Sequence, residues 1–235
     1  MTRDLFISEM VPSSVCMNPT GFIADELTPE QFHNRYTVFF EHIFEIGKAN
    51  LEGVGGYGEF NHENQAEYTT CKEFLLDTFS EDHEGYWYQW KEMLETTVLT
   101  QDFFERYHKK MEEYIEYCEG RRYLVNNNTF FVNMVTDGED NVGFADWSRA
   151  GVADFLLDFV IMDLNKPYLQ IPELLNQYCK ERKIEIPDFK ERYLCMSYYK
   201  GIDTLRWHAS IDDVESCQSI MQYIEELEDR IRKIQ

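Results

Sequence analysis

The sequence predicts an α+β fold that is mainly α, built as a single domain over residues 1–235. Helix-start signals and apolar residues at helical spacing recur along most of the chain. Residues 121–147 differ, because Val, Phe, Asn and Gly replace the helical period there and indicate short strands with tight turns. With 43% hydrophobic residues among 235, the chain can bury one sizeable core.

The first predicted helix begins at a capping box. Thr28 and Gln31 have the spacing at which each side chain can cap the other's backbone N–H, and Pro29 falls at the first helical position. Apolar residues then recur at helical spacing and form one face: Phe32, Tyr36, Phe39, Phe40, Ile43 and Phe44. A short strand is expected before this helix, at residues 5–11.

Three more helices are predicted in the middle of the chain, at residues 70–79, 87–98 and 101–118. Thr70 and Glu73 form a second capping box at the start of the first, and Gly120 ends the last. From residue 152 onward the pattern is helical again. It has breaks near three prolines, which are Pro167, Pro172 and Pro187.

Residues 53–58 match the G-x-G-x-x-G pattern of nucleotide-binding loops. That mechanism needs a strand before the glycines and, in the dinucleotide fold, a helix after them whose N-terminus meets the phosphates. Here a helix precedes the glycines, and residues 59–67 are polar and acidic without a helical period. The stretch is therefore predicted to be a structural loop.

The composition excludes several classes of partner. The net charge is −22, from 44 acidic and 22 basic residues, which argues against nucleic acid because phosphates require Lys and Arg. A negative field suits a cationic ligand, although an acidic cytosolic protein without such a ligand has the same composition. No apolar run is long enough for a membrane span, and no signal peptide is recognisable. The scattered cysteines indicate thiols in a reducing cytoplasm.

Residues 121–158 hold the most informative pattern. It begins with RRYLVNNNTFFVN at residues 121–133 and, after a turn expected near Asp137 and Gly138, continues with VGFADWS at residues 142–148. This pattern resembles the aminoglycoside phosphotransferase family, within the wider choline-kinase-like and protein-kinase-like group. The hygromycin B phosphotransferases look most similar.

The resemblance implies a kinase-like C-terminal lobe with a small β-hairpin insertion. In that family the catalytic loop is H-G-D-x-x-x-x-N, whose Asp handles the substrate's hydroxyl proton and whose Asn helps to hold magnesium. A second motif, I-D-W or I-D-F, supplies the main magnesium carboxylate. Carried over, the catalytic Asp falls on Asn128, the metal-binding Asn on Asn133, and the second motif on Asp146 and Trp147. Residues 121–147 are therefore a degenerate catalytic and metal-loop region.

Two departures from the family pattern argue against catalysis. Asn128 cannot take up a proton, and losing a general base typically costs about 10²–10⁴-fold in rate. The family also places a small lobe, with a phosphate-covering loop and a strand lysine, before a hinge strand. Residues 5–11 resemble that hinge strand, so the N-terminal lobe is expected to be absent, and residues 53–58 lie on the wrong side of the hinge.

The predicted ligand contacts are Asp146, Asp154 and Asp158, with Asn128 at the floor of an acidic and aromatic cleft. Each residue also has a structural interpretation. Asp146 could be a retained structural acid, Asn133 could shape the loop, and Asp154 and Asp158 could be acids favoured by a helix dipole. Four aromatic residues are expected to pack in the core or to line the cleft, namely Tyr86, Trp87, Tyr88 and Trp90.

The leading functional hypothesis is a cytoplasmic pseudo-phosphotransferase. It would bind a cationic, hydroxylated small molecule of the aminoglycoside type without phosphorylating it and without a cofactor. In a second hypothesis another chain supplies the missing lobe, and the protein is a phosphotransferase that uses ATP and Mg²⁺, with Asn133 and Asp146 as metal ligands. A third is a protein-interaction module. Apolar surface near residues 5–11 also predicts a homodimer through the hinge side.

Overall fold

Helices make up most of the chain in the computed structural model, which describes residues 22–82, 85–136 and 142–234. The α-helices in these ranges are α1 (Pro29–His33), α2 (Tyr36–Gly47), α3 (Cys71–Asp77), α4 (Gln101–Tyr114), α5 (Leu156–Asn165), α6 (Ile171–Arg182), α7 (Phe189–Ser210) and α8 (Val214–Lys233). Short 3-10 helices occur at Ala24–Glu26, Trp90–Glu95, Ile115–Cys118, Phe131–Asn133 and Pro167–Leu169. The prediction of an α+β fold that is mainly α is confirmed.

The strands form two small antiparallel sheets. The strands are β1 (Phe22–Ile23), β2 (Tyr57–Phe60), β3 (Ala66–Tyr68), β4 (Tyr123–Val125), β5 (Met134–Thr136), β6 (Val142–Phe144) and β7 (Gly151–Ala153). One sheet has the order β3-β2-β7-β4, and the other has the order β1-β5-β6. Met134 lies opposite Phe144 and Thr136 opposite Val142 in the β5–β6 pair. This pair is the β-hairpin insertion expected within residues 121–147.

The helix α7 is the axis of the helical part of the fold. Most of its residues are buried, and α4, α5 and α8 pack along it. Four charged residues of α7 are buried, namely Arg192, Lys200, Asp203 and Arg206. Because a buried charge is costly unless it is paired, these residues mark the points where α7 meets polar parts of the structure.

Both predicted capping boxes are present. The Thr28 hydroxyl accepts a hydrogen bond from the Gln31 backbone N–H at 3.2 Å, and the Thr28 N–H donates to Gln31 Oε1 at 2.8 Å. The corresponding distances for Thr70 and Glu73 are both 3.1 Å. These contacts start α1 and α3 at the predicted residues.

Two predicted helices differ from the structure. The apolar face that begins at Phe32 is divided between α1 and α2, which are separated at Asn34 and Arg35. Its members are nevertheless buried, except for the partly buried Phe44. The helix expected at residues 87–98 is a shorter 3-10 helix at Trp90–Glu95. It cannot begin before Trp90, because Gln89 adopts a left-handed conformation with a φ of 53°.

In the glycine stretch at residues 53–58, residues 53–56 form a loop and residues 57 and 58 begin β2. Gly56 has a φ of 67°. A Cβ at Gly56 would lie 2.4 Å from the carbonyl oxygen of Ala66 and 2.5 Å from that of Tyr68. The close approach of the β3 backbone therefore explains this glycine without a phosphate.

Replacing Gly56 by alanine is expected to lower the free energy of unfolding by about 2–3 kcal/mol, since strain at positive φ adds to a clash with backbone. Gly53→Ala is the matched control. Gly53 has a φ of 80° with no atom within 4 Å of its added Cβ, so only the strain remains, at about 1 kcal/mol. Urea denaturation measures both values. Equal losses in the two variants would contradict the role given to the β2–β3 approach.

Some predictions concern residues outside the described ranges. They are the hinge-like strand at residues 5–11, the homodimer through it, the turn near Asp137 and Gly138, and the Cys16 thiol. The cysteines inside those ranges are free and buried: Cys71, Cys118, Cys179, Cys195 and Cys217. A helix with the length and apolar content of a membrane span does not occur in the described part of the chain.

Candidate functional site

The loop that follows β4 is held in place by Asp158 on α5. The Asp158 carboxylate accepts hydrogen bonds from the backbone N–H of Asn126 at 3.0 Å and of Asn127 at 2.8 Å. The Thr129 hydroxyl donates to the Asp158 carbonyl oxygen at 2.7 Å. One residue of α5 thus holds two backbone N–H groups before Asn128 and the hydroxyl of Thr129 after it.

These contacts correct the prediction that Asp158 binds a ligand. Its side chain is 1% exposed, and both carboxylate oxygens accept bonds from the loop. Burial raises the pKa of Asp158 to about 6, although the two backbone N–H groups and Lys200 act to lower it. Asp158 is therefore a buried anchor of the loop.

Asp154 likewise lies inside the protein. Its carboxylate pairs with the Arg192 guanidinium through two bonds, from Nε at 2.7 Å and from Nη2 at 2.9 Å. It also accepts a hydrogen bond from the Leu156 backbone N–H at 3.0 Å, at the start of α5. The side chains of Asp154 and Arg192 are 0% and 1% exposed. The prediction that Asp154 contacts a ligand is corrected, because its carboxylate joins the start of α5 to α7.

The other three predicted site residues lie together at the surface end of the loop. The Asn128 side-chain amide donates to Asp146 Oδ2 at 2.8 Å. The Ser148 backbone N–H donates to Asp146 Oδ1 at 3.1 Å. The Asn133 amide donates to the Asn128 carbonyl oxygen at 3.0 Å, which leaves Asn133 Oδ1 as an acceptor. Asp146 has a φ of 50°, so its side chain is presented from a tight left-handed turn.

This arrangement keeps a carboxylate at Asp146 and has an amide at Asn128. Hydrogen bonds from the Ser148 side chain and backbone lower the pKa of Asp146, and the Asn128 amide adds to that effect. An amide at Asn128 can orient a hydroxyl group, but it cannot accept the proton of that group. Asn128 therefore faces Asp146 as a donor.

Asp146 and Asn133 are the residues that could hold a cation. Mg²⁺ is commonly bound through one or two carboxylates together with substrate phosphates and water. Across the described ranges there is no group of three or more His, Cys, Asp and Glu side chains suited to a metal. Metal binding by this pair remains a prediction, and it requires phosphate oxygens from a nucleotide.

A pocket of about 540 Å³ opens beside this loop. Its wall includes Phe130 from the loop, Arg149 from the segment after Asp146, and one side of α7. The α7 residues that line it are Lys200, Asp203, Thr204, Trp207 and His208. The pocket is connected to the loop directly, because Lys200 Nζ donates to Asn127 Oδ1 at 3.3 Å.

The charge of the pocket differs from the acidic cleft that was expected. The carboxylate in its lining, Asp203, contacts three cations. These are Arg206 at 2.8 Å, Lys200 at 3.6 Å and Arg149 at 3.7 Å. Burial raises the pKa of Asp203, but the three cations together lower it to about 2. The acidic surface of the chain is thus not concentrated in this pocket.

The aromatic part of the expectation has a mixed outcome. Tyr86 and Trp87 line the pocket. Trp90 is in the core, where its indole N–H donates to the Phe79 carbonyl oxygen at 3.2 Å, and Tyr88 is exposed. Sequence reasoning missed Lys200 and the other pocket charges. The available signal was charged residues at the spacing of one helical turn within the apolar stretch of α7.

No protein-family model matches the sequence. Among curated proteins, hygromycin-B 4-O-kinase of Escherichia coli is 24% identical over 141 residues, which are 60% of this chain and 40% of that protein. Among solved structures, aminoglycoside phosphotransferase APH(4)-Ia in a ternary complex with AMP-PNP and hygromycin B has a TM-score of 0.70 and 18% identity. That match covers 89% of this chain and 69% of the other.

A more distant neighbour belongs to the wider group that the sequence resembles. A choline/ethanolamine kinase family protein from Mesorhizobium loti has a TM-score of 0.54 and 14% identity, over 92% of this chain and 68% of its own. The resemblance to the aminoglycoside phosphotransferases is confirmed at the level of the fold. Coverage of about 69% of the neighbour agrees with a kinase-like C-terminal lobe.

Proposed function

We propose that this chain, which has the fold of the larger lobe of the aminoglycoside phosphotransferases, binds a hydroxylated small molecule without phosphorylating it. The observation that carries the proposal is the contact between Asn128 and Asp146. The residue in the place of the catalytic base is an amide, and it donates to the carboxylate that would hold magnesium. A substrate hydroxyl at this position would meet no proton acceptor at Asn128.

The pocket beside the loop supports binding. Its volume of about 540 Å³ is within the range of small-molecule sites, and it combines aromatic rings with a few polar groups. Hygromycin B is present in the complex of the structural neighbour, and that molecule is rich in hydroxyl groups. By analogy, we place the ligand of this chain between Phe130 and the aromatic side of α7.

The second candidate is a phosphotransferase, and it has its own support. Asn133 and Asp146 keep the residue types that hold magnesium in the resembled family. Asp158 anchors the loop after β4, and Asn133 and Asp146 each bond to Asn128 in that loop. Such an enzyme would need ATP, Mg²⁺ and a small lobe in addition to the part of the structural neighbour that this chain covers. An interaction module, with a homodimer through residues 5–11, is the third candidate.

Phosphate transfer from radiolabelled ATP to hygromycin B is expected to be undetectable for the natural chain and for Asn128→Asp. Restoring a general base should raise the rate of a complete enzyme by about 10²–10⁴-fold. Weak phosphate transfer would therefore be easier to detect with Asn128→Asp than with the natural chain. The assay includes Mg²⁺, and Asn128→Asp/Asp146→Asn is the control that removes the metal carboxylate. Labelled product with the natural chain would contradict the proposal. Product with Asn128→Asp alone would show that the chain needs no further lobe and that the amide at Asn128 is what prevents transfer.

A further inference from the structure

We infer that the pocket beside the loop binds the carboxylate of a ring-bearing ligand at Lys200 and Arg149, with the ring against the neighbouring aromatic side chains. The inference rests on the proposed function, because it names the ligand class of the same pocket. It replaces the cationic ligand suggested by the net charge of −22 with an anionic one. Lys200, Arg149, Asp203 and the aromatic wall carry it.

Lys200 is a buried cation whose ammonium group has N–H donors available for a ligand. Its side chain is 1% exposed, yet it forms part of the pocket wall. Among the described residues, its one hydrogen bond goes to Asn127 Oδ1 at 3.3 Å, and Asp203 Oδ2 is 3.6 Å away. An ammonium group has three N–H donors, so a ligand oxygen can complete its coordination.

Arg149 presents a second cation to the same space. Its Nε donates to Glu59 Oε1 at 2.7 Å, and its Nη1 is 3.7 Å from Asp203 Oδ2, which is longer than a hydrogen bond. Its side chain is 39% exposed. The outer edge of the guanidinium is thus available, and that edge suits a carboxylate.

Asp203 offers little to a cationic ligand. Its carboxylate already contacts Arg206, Lys200 and Arg149. An incoming ammonium group would compete with these three and would approach Lys200 and Arg149, which carry the same charge. Burial lowers the pKa of Lys200 to about 8, and the adjacent Arg149 contributes to the shift. The spare N–H donors of Lys200 and the open edge of the Arg149 guanidinium can instead pair with an anion.

The aromatic wall supplies the surface for a ring. The Tyr86 ring centroid is 5.6 Å from that of Trp207 and 4.7 Å from that of Trp87. Tyr86 and Trp207 are large and exposed, and both line the pocket. Exposed aromatic surface beside a polar pocket is typical of a binding site. Trp87 also covers the Arg206 guanidinium at 4.0 Å, which fixes this wall to α7.

Three glycosides that share a phenyl group and a sugar ring test whether the pocket prefers an anionic, a neutral or a cationic ligand. They are phenyl β-D-glucuronide, phenyl β-D-glucoside and phenyl 2-amino-2-deoxy-β-D-glucoside, each titrated into the full chain by calorimetry. The glucuronide is expected to bind about tenfold more tightly than the neutral glucoside, and the amino sugar more weakly than both. Tightest binding by the amino sugar would overturn the inference alone. Absence of binding by all three would overturn the proposed function with it.

Two variants locate the carboxylate. Lys200→Met and Arg149→Met are each expected to reduce the preference for the glucuronide over the glucoside to about threefold or less, while glucoside binding persists. Lys190→Met is the matched control, because Lys190 is a half-buried lysine on the same helix that does not line the pocket, and it should keep the full preference. If Lys200→Met fails to fold, the more exposed Arg149 still decides the question. An undiminished preference in Arg149→Met would then contradict the inference.

Affinity for the glucuronide is also expected to depend on pH. The charged groups that face Lys200 are Arg149, Asp203, Glu59 and, behind the loop, Asp158. The pKa of Arg149 is raised and that of Asp203 is lowered, so both keep their charge between pH 7 and pH 9. With a Lys200 pKa of about 8, the protonated fraction falls about tenfold over that interval, and the affinity should fall with it. A constant affinity across the interval would exclude Lys200 as the contact.

Discussion

Replacing Arg192 by methionine is expected to lower the free energy of unfolding by about 3–5 kcal/mol. The change leaves the Asp154 carboxylate in the core without the two hydrogen bonds of 2.7 and 2.9 Å that now balance its charge. Solvent cannot replace them, because the Asp154 side chain is 0% exposed. The loss of stability is large mainly because the Asp154 carboxylate would stay buried without a compensating charge. The lost attraction to Arg192 contributes less.

A double variant separates these two contributions. In Asp154→Leu/Arg192→Met both charges of the pair are removed, so much of the lost stability should return, measured by urea denaturation against both single variants. Arg182→Met provides the surface comparison. Arg182 pairs with Glu41 at 2.7 Å, but both side chains are well exposed, and the cost should stay below about 1 kcal/mol. A similar cost for Arg182→Met and Arg192→Met would contradict the importance of burial.

Replacing Asp158 by alanine is expected to lower the free energy of unfolding by about 3–5 kcal/mol as well. Two backbone N–H groups, of Asn126 and Asn127, would lose an ionised acceptor inside the protein, and each such bond contributes about 1.5–3 kcal/mol. The loop would also lose its position relative to α5. Ligand binding in the adjacent pocket should weaken for that reason.

The amide variant Asp158→Asn tests whether the hydrogen bonds cause this loss. Its one side-chain oxygen can accept from only one of the two N–H groups, so its cost should fall between those of the natural chain and the alanine variant. Hydrogen exchange at Asn126 and Asn127 should accelerate in both variants. Asp229→Ala, which removes an exposed acid on α8, should leave exchange at the loop unchanged. Unaltered exchange in Asp158→Ala would refute the anchoring role.

Local sequence signals predicted the starts of the helices well. The capping boxes at Thr28 and Thr70 depend on contacts within three residues, and both are present in the structure. The boundary before Trp90 was missed because Gln89 adopts a left-handed conformation that its residue type does not demand. Such a conformation is selected by tertiary packing, which a local pattern does not contain.

The site divides in a similar way. The motif spacing brought Asn128, Asn133 and Asp146 together correctly, since these three lie on one loop and the turn beside it. The spacing did not show that Asp154 and Asp158 would lie apart from these three residues. Asp154 and Asp158 follow the motif closely in sequence. The direction of their side chains, however, depends on Arg192 of α7 and on the loop backbone. Only the fold shows that the last two carboxylates point into the protein.

The pocket charges were beyond prediction for a related reason. Net charge describes the whole surface, whereas the pocket is formed by one side of α7 and by Arg149, about fifty residues away in sequence. The total of −22 therefore says little about the field inside this small cavity. A buried Lys200 beside Asp203 can be recognised as a site only after α7 is known to be the central helix.

Because α7 is central, a ligand in the pocket should affect the stability of the whole helical core. Lys200, Asp203 and Trp207 belong to the helix around which α4, α5 and α8 are packed, so unfolding cannot proceed while their ligand stays bound. By linkage, a ligand present at 100 times its Kd should stabilise the chain by about 2.7 kcal/mol. That gain should slow exchange of the best-protected amides of the helical core, which open only in global unfolding. Denaturation midpoints can thus serve to find ligands of this pocket.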